Sequence, residues 1–112
     1  MKVLIPGGAS YIGAWLVPHH LADGHTVTVY DSMLFGNGNL PDNDRCKLIK
    51  ADIRNEAAWK GACQDQDAVI YLASISRELL CQQNESLANE VNVDCFRPAV
   101  EAASDAGVKR LI

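Results

Sequence analysis

The feature that most constrains this chain is a glycine-rich turn that joins a short apolar run to a segment with helical spacing. Residues 2–5 are rich in branched apolar side chains, which predicts a strand buried on both faces. Residues 10–22 repeat apolar side chains on one side of a helix, and Gly24 follows as a stop. The turn between them has the sequence Gly7-Gly8-Ala9-Ser10-Tyr11-Ile12-Gly13.

Small residues in such a turn have separate tasks. The first glycine allows a tight bend, a middle small residue lets the backbone approach a pyrophosphate, and the last lets helix and strand pack closely. The start of the helix offers free N–H groups and a positive dipole end to phosphates. The alternative is an ordinary strand-to-helix turn with glycines for geometry alone. The predicted phosphate contacts are Gly7, Ser10, Tyr11, Ile12 and Gly13.

An acidic residue ends the second predicted strand. Residues 26–30 are β-branched and aromatic, and Asp31 follows them directly, with Ser32 beside it. A carboxylate there accepts hydrogen bonds from both ribose hydroxyls of an adenosine and repels a 2′-phosphate. Asp31 and Ser32 are therefore predicted dinucleotide contacts, and NAD is favoured over NADP.

The remaining elements alternate between strands and helices. The pattern predicts a loop over 32–45, strands at 47–50, 68–73 and from 109, and a helix over 55–63 that Asn55 caps. It also predicts a long helix over 85–106 that bends near Phe96, and a kink or an early end of the first helix at Pro18. This order predicts an α/β fold of Rossmann type. Its doubly wound parallel sheet of about five strands has the order 3-2-1-4-5, in one truncated domain over residues 1–112.

Bulk composition excludes several classes of function. The chain has 112 residues, 48% of them apolar, which suits one soluble domain. The net charge of −4 is spread along the chain, so nucleic acid is a poor partner, and no apolar run is long enough to span a membrane. Four widely spaced cysteines favour reduced thiols in the cytoplasm over a metal site. Trp15 and Trp59 lie in predicted helices and are expected to pack in the core.

At these motifs the sequence resembles the extended short-chain dehydrogenase/reductase family, and more narrowly its NAD-dependent sugar-nucleotide epimerases and dehydratases. The resemblance covers the whole chain. It implies that Asp52 and Ile53 flank the adenine, that Leu72, Ala73 and Ser74 pass under the nicotinamide ribose, and that Asn92 has a structural role. This chain differs from the family's usual residues at four positions. Pro6 replaces the usual Thr, Ser10 the usual Gly, Tyr71 the usual His and Ser74 the usual Ala.

Catalysis in that family uses a Ser or Thr and a Tyr with a Lys four positions later. None of the three tyrosines of this chain has such a lysine. The resemblance therefore implies the NAD-binding portion of a sugar-nucleotide epimerase- or dehydratase-like oxidoreductase that does not turn over substrate alone, with no catalytic residue assigned. A sugar nucleotide is a partner expected of the complete protein.

The alternative is a non-catalytic nucleotide-binding or oligomerising module. A homodimer or higher oligomer is expected because strand five lacks its usual cover.

Overall fold

A five-stranded parallel sheet forms the centre of the fold. The computed structural model describes residues 1–35 and 39–112. The strands are β1 (Lys2–Pro6), β2 (Thr26–Asp31), β3 (Cys46–Lys50), β4 (Ala68–Val69) and β5 (Arg110–Leu111). They lie in the order β3-β2-β1-β4-β5, and every neighbouring pair is parallel. The predicted fold class and strand order are confirmed. Gly36, Asn37 and Gly38 of the predicted loop lie outside the described residues.

Helices cover both faces of this sheet. Alternate residues of the central strands point to opposite faces, so Val3 and Ile5 pack with one helix layer while Leu4 packs with the other. On the first face α1 buries Val17 and Leu21. The helices are α1 (Tyr11–Ala22), α2 (Glu56–Cys63), α3 (Glu78–Gln83), α4 (Glu85–Asn89) and α5 (Phe96–Asp105); α2 and α5 cover the second face.

The first helix continues past its proline. Pro18 is exposed, and α1 runs on to Ala22, so an early end at Pro18 is wrong. At the next helix, the predicted cap is confirmed: the Asn55 side chain accepts a hydrogen bond from the Ala58 N–H at 3.1 Å. None of the helices in residues 1–35 and 39–112 is long and apolar enough to cross a membrane.

The predicted continuous helix over 85–106 is wrong. A π turn (Glu90–Asp94) separates α4 from α5, and the N–H of Cys95 donates to the Glu90 carbonyl five residues back at 3.0 Å. Pro98 explains the break, since it has no N–H with which to continue α-helical bonding to Asp94. It lies instead in the first turn of α5, where a proline is tolerated. The sequence interpretation also missed α3, which precedes α4.

The fourth strand is shorter than predicted. Regular pairing ends at Val69, whereas the prediction ran to residue 73. The backbone nevertheless stays hydrogen-bonded to β1, because the N–H groups of Ile70 and Leu72 donate to the carbonyls of Leu4 and Pro6, each at 2.9 Å. Residues 70–72 are therefore held beside the carboxyl end of β1 although they leave the regular ladder.

The two tryptophans have opposite environments. Trp59 of α2 is 2% exposed, and its indole N–H donates to the Ala99 carbonyl of α5 at 3.0 Å. Its ring packs edge-to-face against Tyr30 and Tyr71. Trp15 is 63% exposed, so its expected packing in the core is wrong. It lies on the part of α1 that faces away from the buried Val17.

Replacement of Trp59 by Phe should destabilise the fold by about 1–3 kcal/mol, because it removes a buried hydrogen bond between α2 and α5 and some packed volume. Trp15→Phe is the matched control and should change the free energy of unfolding by less than about 0.5 kcal/mol. Urea denaturation followed by circular dichroism measures both. Equal stability of the two variants would contradict this assignment of the core.

Candidate functional site

The carboxyl ends of β1, β2 and β4 open into a cleft of about 550 Å³. We call it the carboxyl-end cleft. It lies where the strand order reverses between β1 and β4, which is the usual ligand position in a doubly wound sheet. Nine of the twelve predicted contacts line it: Gly7, Ser10, Asp31, Ser32, Asp52, Ile53, Leu72, Ala73 and Ser74.

The glycine turn packs too tightly for side chains. Gly7 has a φ of +78°, a conformation that L side chains rarely adopt, and a Cβ there would lie 2.7 Å from the backbone nitrogen of Ala73. A Cβ on Gly13 would overlap the carbonyl group of Gly8. The two ends of the turn therefore bring the start of α1 against β1, and β1 against the segment after β4.

Ser10 caps the N-terminus of α1. Its hydroxyl accepts a long hydrogen bond of 3.3 Å from the N–H of Gly13, one of the free N–H groups at the helix start. The side chains of Tyr11 and Ile12 are 83% and 56% exposed, and Gly13 is buried. These three predicted contacts do not line the cleft. The side chains of Tyr11 and Ile12 therefore form no part of the cleft wall.

Asp31 joins the end of β2 to the glycine turn. Its Oδ2 accepts a hydrogen bond from the Ala9 N–H at 3.0 Å, and its Oδ1 accepts one from the Met33 N–H at 2.9 Å. Met33 has a φ of 59°, which is unusual for a residue with a side chain, and the hydrogen bond that its N–H donates to Asp31 supports that turn. The carboxylate is thus fixed in the cleft with acceptor capacity to spare.

The wall after β3 holds a second carboxylate, that of Asp52. Arg54 donates to both of its oxygens, and these side-chain hydrogen bonds hold the pKa of Asp52 below its usual value. Beneath it, the buried Tyr30 hydroxyl donates to the Asp52 carbonyl at 2.8 Å, and burial raises the pKa of Tyr30 to about 12. Arg54 also lines the cleft and was missed by the sequence interpretation. The sequence signal for this ion pair was the position of Arg54 two residues after Asp52, just past the end of a strand.

A side-chain amide fixes the loop after β4. Asn92 of the π turn accepts from the Ile75 N–H at 2.7 Å and donates to the Ile75 carbonyl at 2.9 Å. This double hydrogen bond agrees with the structural role that the resemblance implied for Asn92. Ile75 lines the carboxyl-end cleft, so the π turn helps to set the position of its wall.

Tyr71 does not reach the cleft. Its ring packs edge-to-face between Trp59 and Phe96, and burial raises its pKa to about 12. Its buried hydroxyl has no hydrogen-bond partner among the described residues. The departure from the family's usual histidine at this position therefore falls in the core, not among the residues that line the cleft.

A family model and several curated relatives indicate the family of this chain. Residues 3–112 match the model of the NAD dependent epimerase/dehydratase family. A UDP-glucose 4-epimerase of Klebsiella pneumoniae is 34% identical over all of this chain and 86% of its own length. One of Lactobacillus helveticus is 30% identical over all of this chain, which spans 34% of that relative.

Solved structures with a similar fold include proteins of the same kind. The UDP-glucose 4-epimerase of Thermus thermophilus, solved in complex with NAD, superposes with a TM-score of 0.88 at 28% identity, over 99% of this chain and 36% of that one. A cleft at the strand-order reversal, a glycine turn that admits no side chains and a fixed acid at the end of β2 are all present here. The chain therefore belongs to the NAD dependent epimerase/dehydratase family.

Proposed function

We propose that this chain binds NAD in the carboxyl-end cleft, as the dinucleotide-binding portion of an epimerase- or dehydratase-like oxidoreductase. The observation that carries the proposal is the Asp31 carboxylate, which the N–H groups of Ala9 and Met33 fix beside the glycine turn. An ionised carboxylate has about four acceptor positions, so two remain for ribose hydroxyls. A 2′-phosphate would meet this negative charge, which favours NAD over NADP.

The proposed contacts follow the cleft from end to end. The backbone from Gly7 to Gly13 holds the pyrophosphate, and the Ser10 hydroxyl donates to a phosphate oxygen while it accepts from Gly13. Asp31 and Ser32 hold the adenosine ribose. Asp52 and Ile53 would hold the adenine, and Leu72, Ala73 and Ser74 would contact the nicotinamide ribose. The bound nicotinamide ring supplies a hydride acceptor and donor.

We further propose that the 112 residues do not turn over substrate by themselves. A tyrosine base needs access to the substrate and a lowered pKa. Tyr30 lines the cleft, but its hydroxyl donates to the Asp52 carbonyl and burial raises its pKa to about 12. Burial likewise raises the pKa of Tyr71 to about 12, and neither Tyr71 nor Tyr11 lines the cleft. In the complete protein, residues beyond this chain would bind a sugar nucleotide and move its protons. A cytoplasmic location is part of the same proposal.

Self-association is a second proposed property. Tyr11, Ile12 and Trp15 are close neighbours on α1 and are all more than half exposed. Leu34 and Phe35 add exposed apolar surface at the rim of the cleft, and Ile112 is 69% exposed after the edge strand β5. Exposed apolar surface of this kind favours association.

Replacement of Asp31 by Asn should weaken NAD binding about tenfold or more, because a charged hydrogen-bond acceptor is lost. The same change should improve the affinity for NADP relative to NAD, because the repulsion of the 2′-phosphate is removed. Isothermal titration calorimetry with both dinucleotides measures this, and the exposed Asp23→Asn at the end of α1 is the control. If the unaltered chain instead binds NADP more tightly than NAD, the proposed preference is wrong. The positive charges of Lys50 and Arg54, which also line the cleft, would then outweigh the repulsion of the 2′-phosphate by Asp31.

The isolated chain should neither interconvert UDP-glucose and UDP-galactose nor reduce NAD when it is mixed with these sugars. Chromatography of the sugar nucleotides and absorbance at 340 nm follow the two reactions. Turnover that survives purification to homogeneity and disappears in Asp31→Asn would contradict the proposed lack of activity.

In light scattering, the purified chain should behave as a dimer or a larger assembly. Trp15→Glu should shift it toward the monomer, because it places a charge among exposed apolar side chains. Ala57→Glu on the exposed side of α2 adds the same single negative charge away from these side chains and is the control. A monodisperse monomer of the unaltered chain would refute self-association.

A further inference from the structure

A network of ion pairs connects the wall of the carboxyl-end cleft to the π turn. Arg54 donates to Asp52 three times: its backbone N–H and its Nε bond to Oδ1 at 2.8 and 3.0 Å, and its Nη2 bonds to Oδ2 at 2.8 Å. Its remaining Nη1 donates to Oε2 of Glu90 at 2.7 Å. The Ser86 hydroxyl donates to the other oxygen of Glu90 at 3.1 Å. The planar guanidinium is thus held from two sides.

Stability alone does not account for this arrangement. The side chains of Asp52, Arg54 and Glu90 are 41%, 41% and 43% exposed. Ion pairs at such exposure contribute little to the free energy of folding, because water screens them and the long side chains lose entropy. The consequence of the network is geometric: it fixes where the Asp52 carboxylate points.

The fixed carboxylate has little acceptor capacity left. An ionised carboxylate offers about four acceptor positions, and Arg54 uses three of them, two on Oδ1 and one on Oδ2. One position on Oδ2 remains for a ligand. Asp52 lines the cleft, so this oxygen favours an amino group on a planar base and repels a carbonyl oxygen at the same place.

We propose that Arg54, braced by Glu90, is a positioning residue that makes the cleft selective for a 6-aminopurine over a 6-oxopurine by fixing Asp52. The inference rests on the proposed function, because it takes the purine of the dinucleotide to lie beside Asp52. Arg54 acts through the carboxylate and touches no reacting atom. Its loss therefore alters discrimination between the two purines more than it alters binding of the rest of the dinucleotide.

The selectivity ratio tests this role. Calorimetry gives the Kd of NAD and of nicotinamide hypoxanthine dinucleotide, in which an oxo group replaces the 6-amino group. The unaltered chain should prefer NAD by about tenfold or more. Arg54→Met should reduce the preference to about twofold, and Glu90→Ala should reduce it to an intermediate value. Glu90→Gln keeps an oxygen acceptor for Arg54 and should restore part of the preference.

The chain offers a matched control pair. Arg97 and Glu101 form an exposed ion pair of 2.9 Å on α5, and Arg97 does not line the cleft. Arg97→Met and Glu101→Ala should leave the ratio unchanged. If Arg54→Met binds neither dinucleotide, the ratio of Kd values cannot be measured for that variant. The ratio for Glu90→Ala, which still contains Arg54, then tests the proposal.

Three results would overturn the inference. An equal loss of affinity for both dinucleotides in Arg54→Met and Glu90→Ala would assign Arg54 a general electrostatic or stacking role. An unchanged preference for NAD in both variants would show that Asp52 discriminates between the purines without the contacts of Arg54 and Glu90. In either case the unaltered chain still binds NAD and the proposed function stands. Failure of the unaltered chain to bind either dinucleotide would remove both proposals.

Discussion

The close approach of backbones at the glycine turn is the constraint on which the rest of the cleft depends. Gly7 lies against Ala73 and Gly13 lies against Gly8, at distances that leave no room for a Cβ. The start of α1, the end of β1 and the segment after β4 are therefore brought together at one point. The Asp31 carboxylate then joins β2 to the same turn through the Ala9 N–H. The cleft is the space that remains above these contacts.

The two departures from the family's glycine turn have different structural consequences. Pro6 ends β1, where the carbonyl it retains still accepts from the Leu72 N–H, so the missing donor does not break the link to the segment after β4. Ser10 adds a side chain at the mouth of the turn, yet its hydroxyl is held by the Gly13 N–H as a helix cap. Both changes are accommodated by the fold. The Ser10 hydroxyl only accepts in this contact, so it keeps its own O–H as a donor.

Local patterns were sufficient to predict the elements whose determinants are close in sequence. Alternating apolar runs predicted the strand order, and Asn55 predicted the cap of α2. The π turn was missed because Pro98 suggested a bend within one helix, whereas it lies in the first turn of a new one. The exposure of Trp15 was missed because helical spacing alone does not show which side of α1 the sheet covers. The hydrogen bond between Arg54 and Glu90 was missed because the two residues are 36 positions apart in the sequence.

Binding of NAD in the carboxyl-end cleft is the property on which the proposed roles of Asp31 and Arg54 depend. Calorimetric titration of the unaltered 112-residue chain with NAD, NADP and ADP-ribose tests it most directly. We expect saturable binding of one NAD per chain, weaker binding of NADP, and binding of ADP-ribose through the same adenosine and pyrophosphate contacts. No saturable heat with any of the three ligands, from a chain that circular dichroism shows to be folded, would contradict it.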